Sequence, residues 1–367
     1  MTDVRLENLA KILVNYSTKV KGGDWVWVRG DVHSLPLVNE VVRYALRAGA
    51  NVNVTLGSDD LTEINLLESS DEQLTWVSPI EKILIGQVDV MIAIWASSNT
   101  RNLSNIDPTK QRARQQARRD LTQTYMQRSA EGKLRWVATS YPCPAFAQDA
   151  DMSQREYENF VYAATFADQD DPVKCWQDIH DNQQRLVDWL KGKNEIVVRG
   201  PNADLKLSIE GRTFINCYGD KNMPDGEIFT GPVEDSVSGW IRFTYPAIEG
   251  GREVEGVELV FKEGKVVSAK AAKNQDFLLS MLDSDEGARY LGEFAIGTNY
   301  GINRFTKSIL YDEKIGGSIH MAVGAGYPES GSRNESSIHW DFICDMRDNS
   351  EILVDGQLFY KNGEFKV

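Results

Sequence analysis

The alternation of strand-like and helix-like segments in the first part of the chain most constrains its fold. Apolar residues recur at helical spacing in LVNEVVRYALRAGA (37–50) and end at a glycine-containing stop. A second helix is predicted over 106–128, with Asp107 as the N-cap and Pro108 as the first helical residue. Strands that alternate with helices form a parallel sheet covered by those helices. The segments with strand-like residues are DWVWVRG (24–30), NVNVTL (51–56), VDVMIAIW (88–95) and LRWVATSYP (134–142).

The second part of the chain is rich in turns. Of the 29 glycines, eight precede Lys193 and 21 follow it. Short strands separated by turns fill this part, with one helix predicted over 272–292. A chain of 367 residues exceeds one typical core, so two domains are expected. We predict an α/β domain over 1–192 and an α+β domain of mainly antiparallel strands over 193–367, which carries a metal site.

Charge and composition exclude several classes of protein. The net charge of −14 argues against nucleic acid or an anionic membrane as a partner. No apolar run reaches the roughly 18 residues of a membrane span, and the N-terminus lacks a signal-peptide core. The four cysteines are far apart and form no CxxC pair, which fits a cytoplasmic protein. The absence of GxGxxG argues against a dinucleotide site.

The stretch SSIHWDF (336–342) is the first candidate for a functional site. In a strand, residues two apart point to the same face, so His339 and Asp341 project side by side. Trp340 then lies on the opposite face. An imidazole and a carboxylate in this arrangement are either two ligands of one metal ion or a hydrogen-bonded structural pair. The stretch alone does not distinguish the two.

Further metal-compatible residues are concentrated in the same part of the chain. Glu227 follows a Pro-Asp-Gly turn, and Glu293 follows a glycine that can end a helix. Glu313 and His320 lie in YDEKIGGSIHMAVG (311–324), and both His320 and His339 follow Ser-Ile. Oxygen and nitrogen donors without thiolates suit Zn²⁺, Co²⁺, Mn²⁺ or Fe²⁺. Taken singly, each glutamate is also compatible with a solvated turn, and His320 with a buried structural histidine.

Four motifs together resemble the thermophilic-type metalloaminopeptidases, the group that includes aminopeptidases T, S and II. The resemblance runs essentially from end to end and is strongest over 219–348. It implies that the protein hydrolyses N-terminal residues from peptides with water activated by two divalent ions, of zinc, cobalt or manganese, with magnesium possible. It also implies a homodimer. The motifs are NMPDGEIFTGPVE, YLGEFAIGTN, DEKIGGSIHMAVG and NESSIHWDF.

The resemblance also implies roles for individual residues. Glu293 is expected to bridge the two ions, because closely spaced ions need a shared carboxylate. Glu313 matches an acidic residue before the first histidine and is expected to act as the general base. Tyr327 matches the tyrosine seven residues after that histidine and is expected to donate to the oxyanion. Because of two intervening glycines, Glu313 lies further from His320 in the sequence than the matching residue does in some relatives. The loop between His320 and His339 is shorter than in some members of the family. The matched metal ligands are Glu227, Glu293, His320, His339 and Asp341.

Two other functions use the same residues. His320, His339 and Asp341 form a 2-His-1-carboxylate set, which suits a mononuclear non-haem iron oxygenase. Ring-cleaving dihydroxypyridine dioxygenases resemble the same fold family, although Glu227 and Glu293 favour two metals over one. The third possibility is a binding protein that a metal stabilises without catalysis.

Overall fold

The computed structural model describes residues 3–249 and 251–367, and their contacts form two compact units. The first unit is drawn from Met1–Cys175 and Gly219–Pro224, and the second from Trp176–Tyr218 and Asp225–Val367. The domain boundary expected between residues 192 and 193 stays a prediction. The change from the first compact unit to the second instead falls after Cys175, so most of the helix Pro172–Leu190 belongs to the second unit.

Both units contain helices and strands. The α-helices are α1 (Val4–Lys11), α2 (Leu35–Arg47), α3 (Asp59–Glu68), α4 (Asp71–Thr75), α5 (Pro79–Gln87), α6 (Pro108–Ala117), α7 (Arg119–Ala130), α8 (Pro144–Asp149), α9 (Gln154–Ala164), α10 (Pro172–Leu190), α11 (Gln275–Leu282) and α12 (Ile309–Asp312). The strands are β1 (Trp25–Asp31), β2 (Asn51–Gly57), β3 (Val90–Trp95), β4 (Arg135–Ser140), β5 (Glu195–Gly200), β6 (Ala203–Ser208), β7 (Ile215–Cys217), β8 (Asn222–Met223), β9 (Glu227–Thr230), β10 (Ser238–Arg242), β11 (Ala247–Glu249), β12 (Arg252–Val254), β13 (Glu258–Lys262), β14 (Lys265–Lys270), β15 (Leu291–Gly297), β16 (Ser318–Gly324), β17 (His339–Asp345), β18 (Glu351–Val354), β19 (Gln357–Lys361) and β20 (Glu364–Phe365). Among the described residues, no helix combines the length and apolar character that crossing a membrane requires.

The first unit contains a parallel sheet, as the alternating pattern predicted. Its strand order is β2-β1-β3-β4-β8, and all four pairings are parallel. Val26, Val28 and Ile92 are fully buried in its centre. These β-branched residues suit a sheet covered on both faces, so the α/β prediction for this part is confirmed.

The helix predicted over 106–128 is two helices, and the single-helix prediction was wrong. Asp107 caps the first of them, because its side chain accepts a hydrogen bond from the Thr109 N–H at 2.8 Å. The break falls at Arg118, where φ is −92° and ψ is 2°. Neither α6 nor α7 has a buried residue. Leu121 and Tyr125 of α7 are partly buried against the apolar cluster that contains Trp27 and Leu84. At the break itself, Arg118 forms an ion pair with Glu81, so tertiary contacts fix the position of α7.

The second unit is built from antiparallel sheets, as predicted. One sheet has the order β14-β13-β10-β6-β5-β18-β19-β20, and another has the order β17-β16-β15-β9-β7. A separate hairpin pairs β11 with β12. Trp340, Phe342 and Cys344 lie on one face of β17 and belong to the apolar core of this unit. The opposite face of that strand therefore carries the remaining residues, which include His339 and Asp341.

The helix predicted over 272–292 is much shorter in the structure. It ends at Leu282, and Gly292 lies inside β15 instead of ending a helix. The carboxylate of Asp285 accepts hydrogen bonds from the backbone and side chain of Ser337, which hold the following segment as a loop. A Cβ at Gly292 would lie 2.1 Å from the carbonyl oxygen of Ala325. This glycine is therefore required by close strand packing.

Candidate metal centre

The five predicted ligands lie on one face of four neighbouring strands, β17, β16, β15 and β9. His320 pairs with Ala295 on one side and with Ile343 on the other, which places these three on the same face. Glu293 is two residues from Ala295, and Glu227 pairs with Gly297, which is also two residues from Ala295. His339 and Asp341 alternate with Ile343 on β17. Strand pairing thus brings together side chains from four separate sequence motifs.

Glu293 lies at the middle of the cluster, and its two oxygens face different histidines. Oε1 is 3.3 Å from Nε2 of His320, and Oε2 is 3.4 Å from Nε2 of His339. Among the described residues, potential ligand atoms form four compact sets, in each of which the atoms lie within 4.8 Å of one another. Two of these sets consist only of the predicted ligands: Glu227, Glu293 and His320 form one, and Glu293, His339 and Asp341 form the other. Glu293 is the residue that these two sets share.

The two histidines are oriented by backbone carbonyl groups. Nδ1 of His320 donates to the carbonyl oxygen of Glu313 at 2.9 Å, and Nδ1 of His339 donates to that of Ala325 at 2.7 Å. A carbonyl oxygen only accepts, so Nδ1 carries the proton in both rings. This leaves both Nε2 atoms directed at the carboxylates, which is the arrangement of metal-binding histidines.

The donor set fits a metal ion. Glu227, Glu293 and His320 are buried, with exposed fractions of 6%, 4% and 1%. Oε2 of Glu227 and Oδ1 of Asp341 are also buried, and among the described residues neither accepts a hydrogen bond. Leaving a buried carboxylate oxygen without a partner is costly. A divalent cation would supply the missing partner, and the oxygen and nitrogen donors suit zinc, cobalt or manganese.

The electrostatics of the cluster favour added positive charge. Burial raises the pKa of Glu227 and of Asp341. Burial alone would raise the pKa of Glu293, but hydrogen bonds from the two histidines lower it. Burial alone would lower the pKa of the histidines, yet the surrounding carboxylates raise it to about 10 for His320 and about 9 for His339. The metal-free site thus draws protons onto its histidines, and a cation would compete with them.

Glu313 lies next to the cluster and has a partner that the sequence analysis missed. The ammonium group of Lys314 is fully buried and forms an ion pair with Oε1 of Glu313. Its Nζ is also 3.5 Å from Oε1 of Glu227. Potential ligand atoms of Glu313, His320 and Asp341 lie within 4.8 Å of one another, so the carboxylate of Glu313 is close to the candidate metal centre. The only sequence signal for Lys314 was its position beside Glu313.

Tyr327 is placed beside the cluster by ring packing. Its ring is 5.1 Å from that of His339 and 5.3 Å from that of Phe229, measured between centroids. Although 40% of the residue surface is accessible, partial desolvation and the nearby carboxylates raise the pKa of Tyr327. The phenol therefore stays protonated and keeps a hydrogen to donate.

A second unpredicted residue supports the strand that carries Glu227. Gln183, on α10, is buried and donates from Nε2 to the carbonyl oxygen of Glu227 at 3.0 Å. Its Oε1 accepts from the hydroxyl of Thr298 at 2.8 Å. Nothing in the local sequence of α10 indicated this role, because the contact depends on the tertiary fold.

The sequence and the fold resemble those of known aminopeptidases. The family model described as thermophilic metalloprotease (M29) matches residues 2–365. Aminopeptidase 2 of Geobacillus stearothermophilus is 26% identical over 390 residues, covering 96% of this chain and 93% of that protein. Aminopeptidase AmpS of Bacillus subtilis is 27% identical over 405 residues, covering 98% of each. Aminopeptidase T of Thermus thermophilus is 26% identical over 398 residues, covering 98% of this chain and 95% of that protein.

Two solved structures share the fold over nearly the whole chain. Wild-type AmpT from Thermus thermophilus matches with a TM-score of 0.86 and 23% identity, covering 99% of both chains. A 2,5-dihydroxypyridine dioxygenase from Pseudomonas putida KT2440 matches with a TM-score of 0.57 and 14% identity, covering 98% of this chain and 96% of that one. At these identities the likeness concerns the fold alone.

Proposed function

The chain belongs to the thermophilic metalloprotease (M29) family, a family of peptide-bond hydrolases, and we propose that it is an aminopeptidase that uses two divalent metal ions. The relatives named above are aminopeptidases, which supports removal of residues from the N-terminus of peptides. The observation that carries the two-metal proposal is the position of Glu293 in both sets of ligand atoms. A carboxylate with each oxygen facing a different histidine is suited to bridge two ions.

The five clustered residues would hold the ions. We assign Glu227 and His320 to one ion, His339 and Asp341 to the other, and Glu293 to both. Zinc, cobalt and manganese suit these donors, and magnesium is also compatible with the carboxylates. When bound, such ions act as Lewis acids that activate water and polarise the scissile carbonyl group.

Neighbouring residues would move protons and stabilise charge. The carboxylate of Glu313 takes a proton from the attacking water and returns it to the leaving amine. The hydroxyl of Tyr327 donates a hydrogen bond to the oxyanion that develops from the carbonyl oxygen. The carbonyl groups of Glu313 and Ala325 keep both histidines in the orientation for binding.

A cavity beside His339 and Asp341 would receive the side chain of the N-terminal residue. Its volume is about 260 Å³, smaller than sites that enclose a drug-sized ligand. Ile343 lies on the same face of β17 as His339 and Asp341, so the wall of the cavity continues from the ligands. Three of the other lining residues are charged, Glu249, Lys307 and Asp312, and the remaining six are apolar: Pro246, Ala247, Ile248, Phe305, Ile309 and Trp340. We therefore propose a preference for peptides that begin with a large apolar residue.

A charge placed at this cavity is expected to change the preference. Ile309 lines the cavity but is 51% exposed, so Ile309→Asp leaves the core intact. The new carboxylate disfavours an apolar side chain and favours a cationic one. We expect the ratio of kcat/KM for leucyl to lysyl p-nitroanilide to fall by about tenfold or more, equivalent to about 1.4 kcal/mol.

Val267→Asp serves as the matched control. Val267 is 56% exposed in the same unit and does not line the cavity. In Val267→Asp, the ratio of kcat/KM for leucyl to lysyl p-nitroanilide should equal that of the unchanged protein. If this ratio is also unchanged in Ile309→Asp, the side chain of the N-terminal residue binds outside this cavity.

Metal removal and reconstitution test the function as a whole. Chelated protein should release no amino acid from a leucine-initiated peptide, and Zn²⁺, Co²⁺ or Mn²⁺ should restore release with two ions per chain. The same peptide with an acetylated N-terminus should remain intact. One iron per chain together with oxygen uptake on a dihydroxypyridine would instead establish the dioxygenase function. Binding of metal without either reaction would indicate a non-catalytic binding protein.

We also propose a cytoplasmic homodimer, as the family resemblance implies. The widely spaced cysteines fit a reducing compartment, and the net charge of −14 disfavours nucleic acid as a partner. A mass of about 83 kDa by sedimentation, twice the 41.3 kDa of one chain, is the expected result.

A further inference from the structure

Lys314 is a fully buried cation at the edge of the candidate metal centre. It follows α12, and its exposed fraction is 0%. An ammonium group removed from water is stable only where anionic partners surround it. Its partners include Oε1 of Glu313, in an ion pair, and Oε1 of Glu227 at 3.5 Å, and Asp225 adds a further negative charge nearby. One side chain thus contacts both a candidate ligand and the candidate general base.

The backbone of Lys314 is held in place as well. Its N–H donates to the carbonyl oxygen of Tyr311 at 3.0 Å, and its carbonyl oxygen accepts from the Asn299 N–H at 3.1 Å. Gly297 packs against the same segment, since a Cβ there would lie 3.0 Å from the carbonyl carbon of Lys314. The backbone that carries the ammonium group is therefore held in place, which is required of a residue that orients other side chains.

The two oxygens of Glu227 have different surroundings because of this lysine. Oε1 faces Nζ of Lys314, whereas Oε2 lies 3.4 Å from Nε2 of His320 and accepts no hydrogen bond among the described residues. A carboxylate without such a contact is free to rotate, or to offer both oxygens to one ion. The lysine leaves a single oxygen directed at the centre.

We propose that Lys314 is a positioning residue that restricts Glu227 to one metal-binding oxygen and holds the carboxylate of Glu313 in place for proton transfer. This inference rests on the proposed metal site. A purely electrostatic role makes the opposite prediction, because removal of a nearby positive charge would strengthen cation binding without altering ligand geometry.

Cobalt-substituted protein distinguishes these roles, because the visible spectrum of Co²⁺ reports its coordination. Lys314→Met removes the charge and keeps an unbranched side chain of similar length. We expect an altered Co²⁺ spectrum and a loss of about tenfold or more in kcat/KM, carried by kcat, as for other groups that orient metal ligands. Lys314→Arg keeps a cation and should retain the unaltered spectrum. Lys262→Met removes an exposed charge outside the site and controls for net charge.

A double variant tests whether Lys314 acts through Glu227. If it does, the fold-loss in kcat/KM of the double variant Lys314→Met/Glu227→Gln should be smaller than the product of the fold-losses of the two single variants, because the two effects are coupled. Circular dichroism checks folding, and Lys314→Gln replaces the methionine variant if that one does not fold. An unchanged Co²⁺ spectrum with tighter metal binding in Lys314→Met would overturn the proposal, as would fully multiplicative losses. Unmodified protein that binds no Co²⁺ would overturn the proposed metal site itself.

Discussion

Replacing Glu293 by alanine is expected to remove both metal ions and to lower kcat/KM for peptide hydrolysis by about 10³-fold, the scale of losing a group that acts on the reacting atoms. Each oxygen of Glu293 faces a different histidine, and the residue belongs to both sets of ligand atoms. Its loss therefore leaves each ion with an incomplete set of ligands.

Glu227→Ala is the matched control for Glu293→Ala. Both residues are buried carboxylates, but Glu227 belongs to the set with His320 and is absent from the set with His339 and Asp341. Elemental analysis should find about one ion per chain in Glu227→Ala and almost none in Glu293→Ala. Equal metal retention in the two variants would show that Glu293 is not the bridge.

Replacing Asp341 by asparagine is expected to cost about 100-fold or more in kcat/KM, with a loss of metal affinity and an unaltered fold. Oδ1 of Asp341 is buried, lies 3.7 Å from Nε2 of His339, and accepts no hydrogen bond among the described residues. The substitution keeps the size of the side chain but removes its charge and one anionic oxygen. Replacing a residue that only hydrogen-bonds a metal ligand lowers metal affinity or activity by about 10 to 100-fold, so loss of a direct ligand should lower them at least as much.

Two residues of the same strand serve as controls for Asp341→Asn. Asp345 lies on the same face, but its carboxylate pairs with Arg347, so Asp345→Asn should leave metal content unchanged. Trp340 lies on the opposite face within the core, so Trp340→Phe should lower stability modestly and keep the metal. Full metal content and turnover in Asp341→Asn would mean that His339 and Asp341 form a structural pair.

The features predicted correctly from the sequence are those that depend on the local spacing of apolar and polar residues. Alternating patterns indicated the parallel sheet of the first unit, and the i, i+2 rule placed His339 and Asp341 on one face. The errors arose where tertiary contacts override local preference. Arg118, which forms an ion pair with Glu81, interrupts a predicted helix, and Asp285 holds a segment predicted as helix in a loop.

Contacts between distant segments were beyond the sequence analysis. The pairing of β9 with β15 brings Glu227 to the cluster, although its own motif shows only a glutamate after a turn. Lys314 was missed because a lysine in a charged stretch normally faces solvent, and only the fold reveals the carboxylates of Glu227 and Glu313 beside it.

The carbonyl groups that orient His320 and His339 have a consequence for how this protein can diverge. Every residue type supplies the same carbonyl oxygen, so substitution at position 313 or 325 does not remove these acceptors. A shift of the backbone would displace them. Position 325 can therefore change in residue type and still orient His339, provided that its carbonyl group keeps its place. Position 313 is more constrained, because its carbonyl group orients His320 while its carboxylate pairs with Lys314.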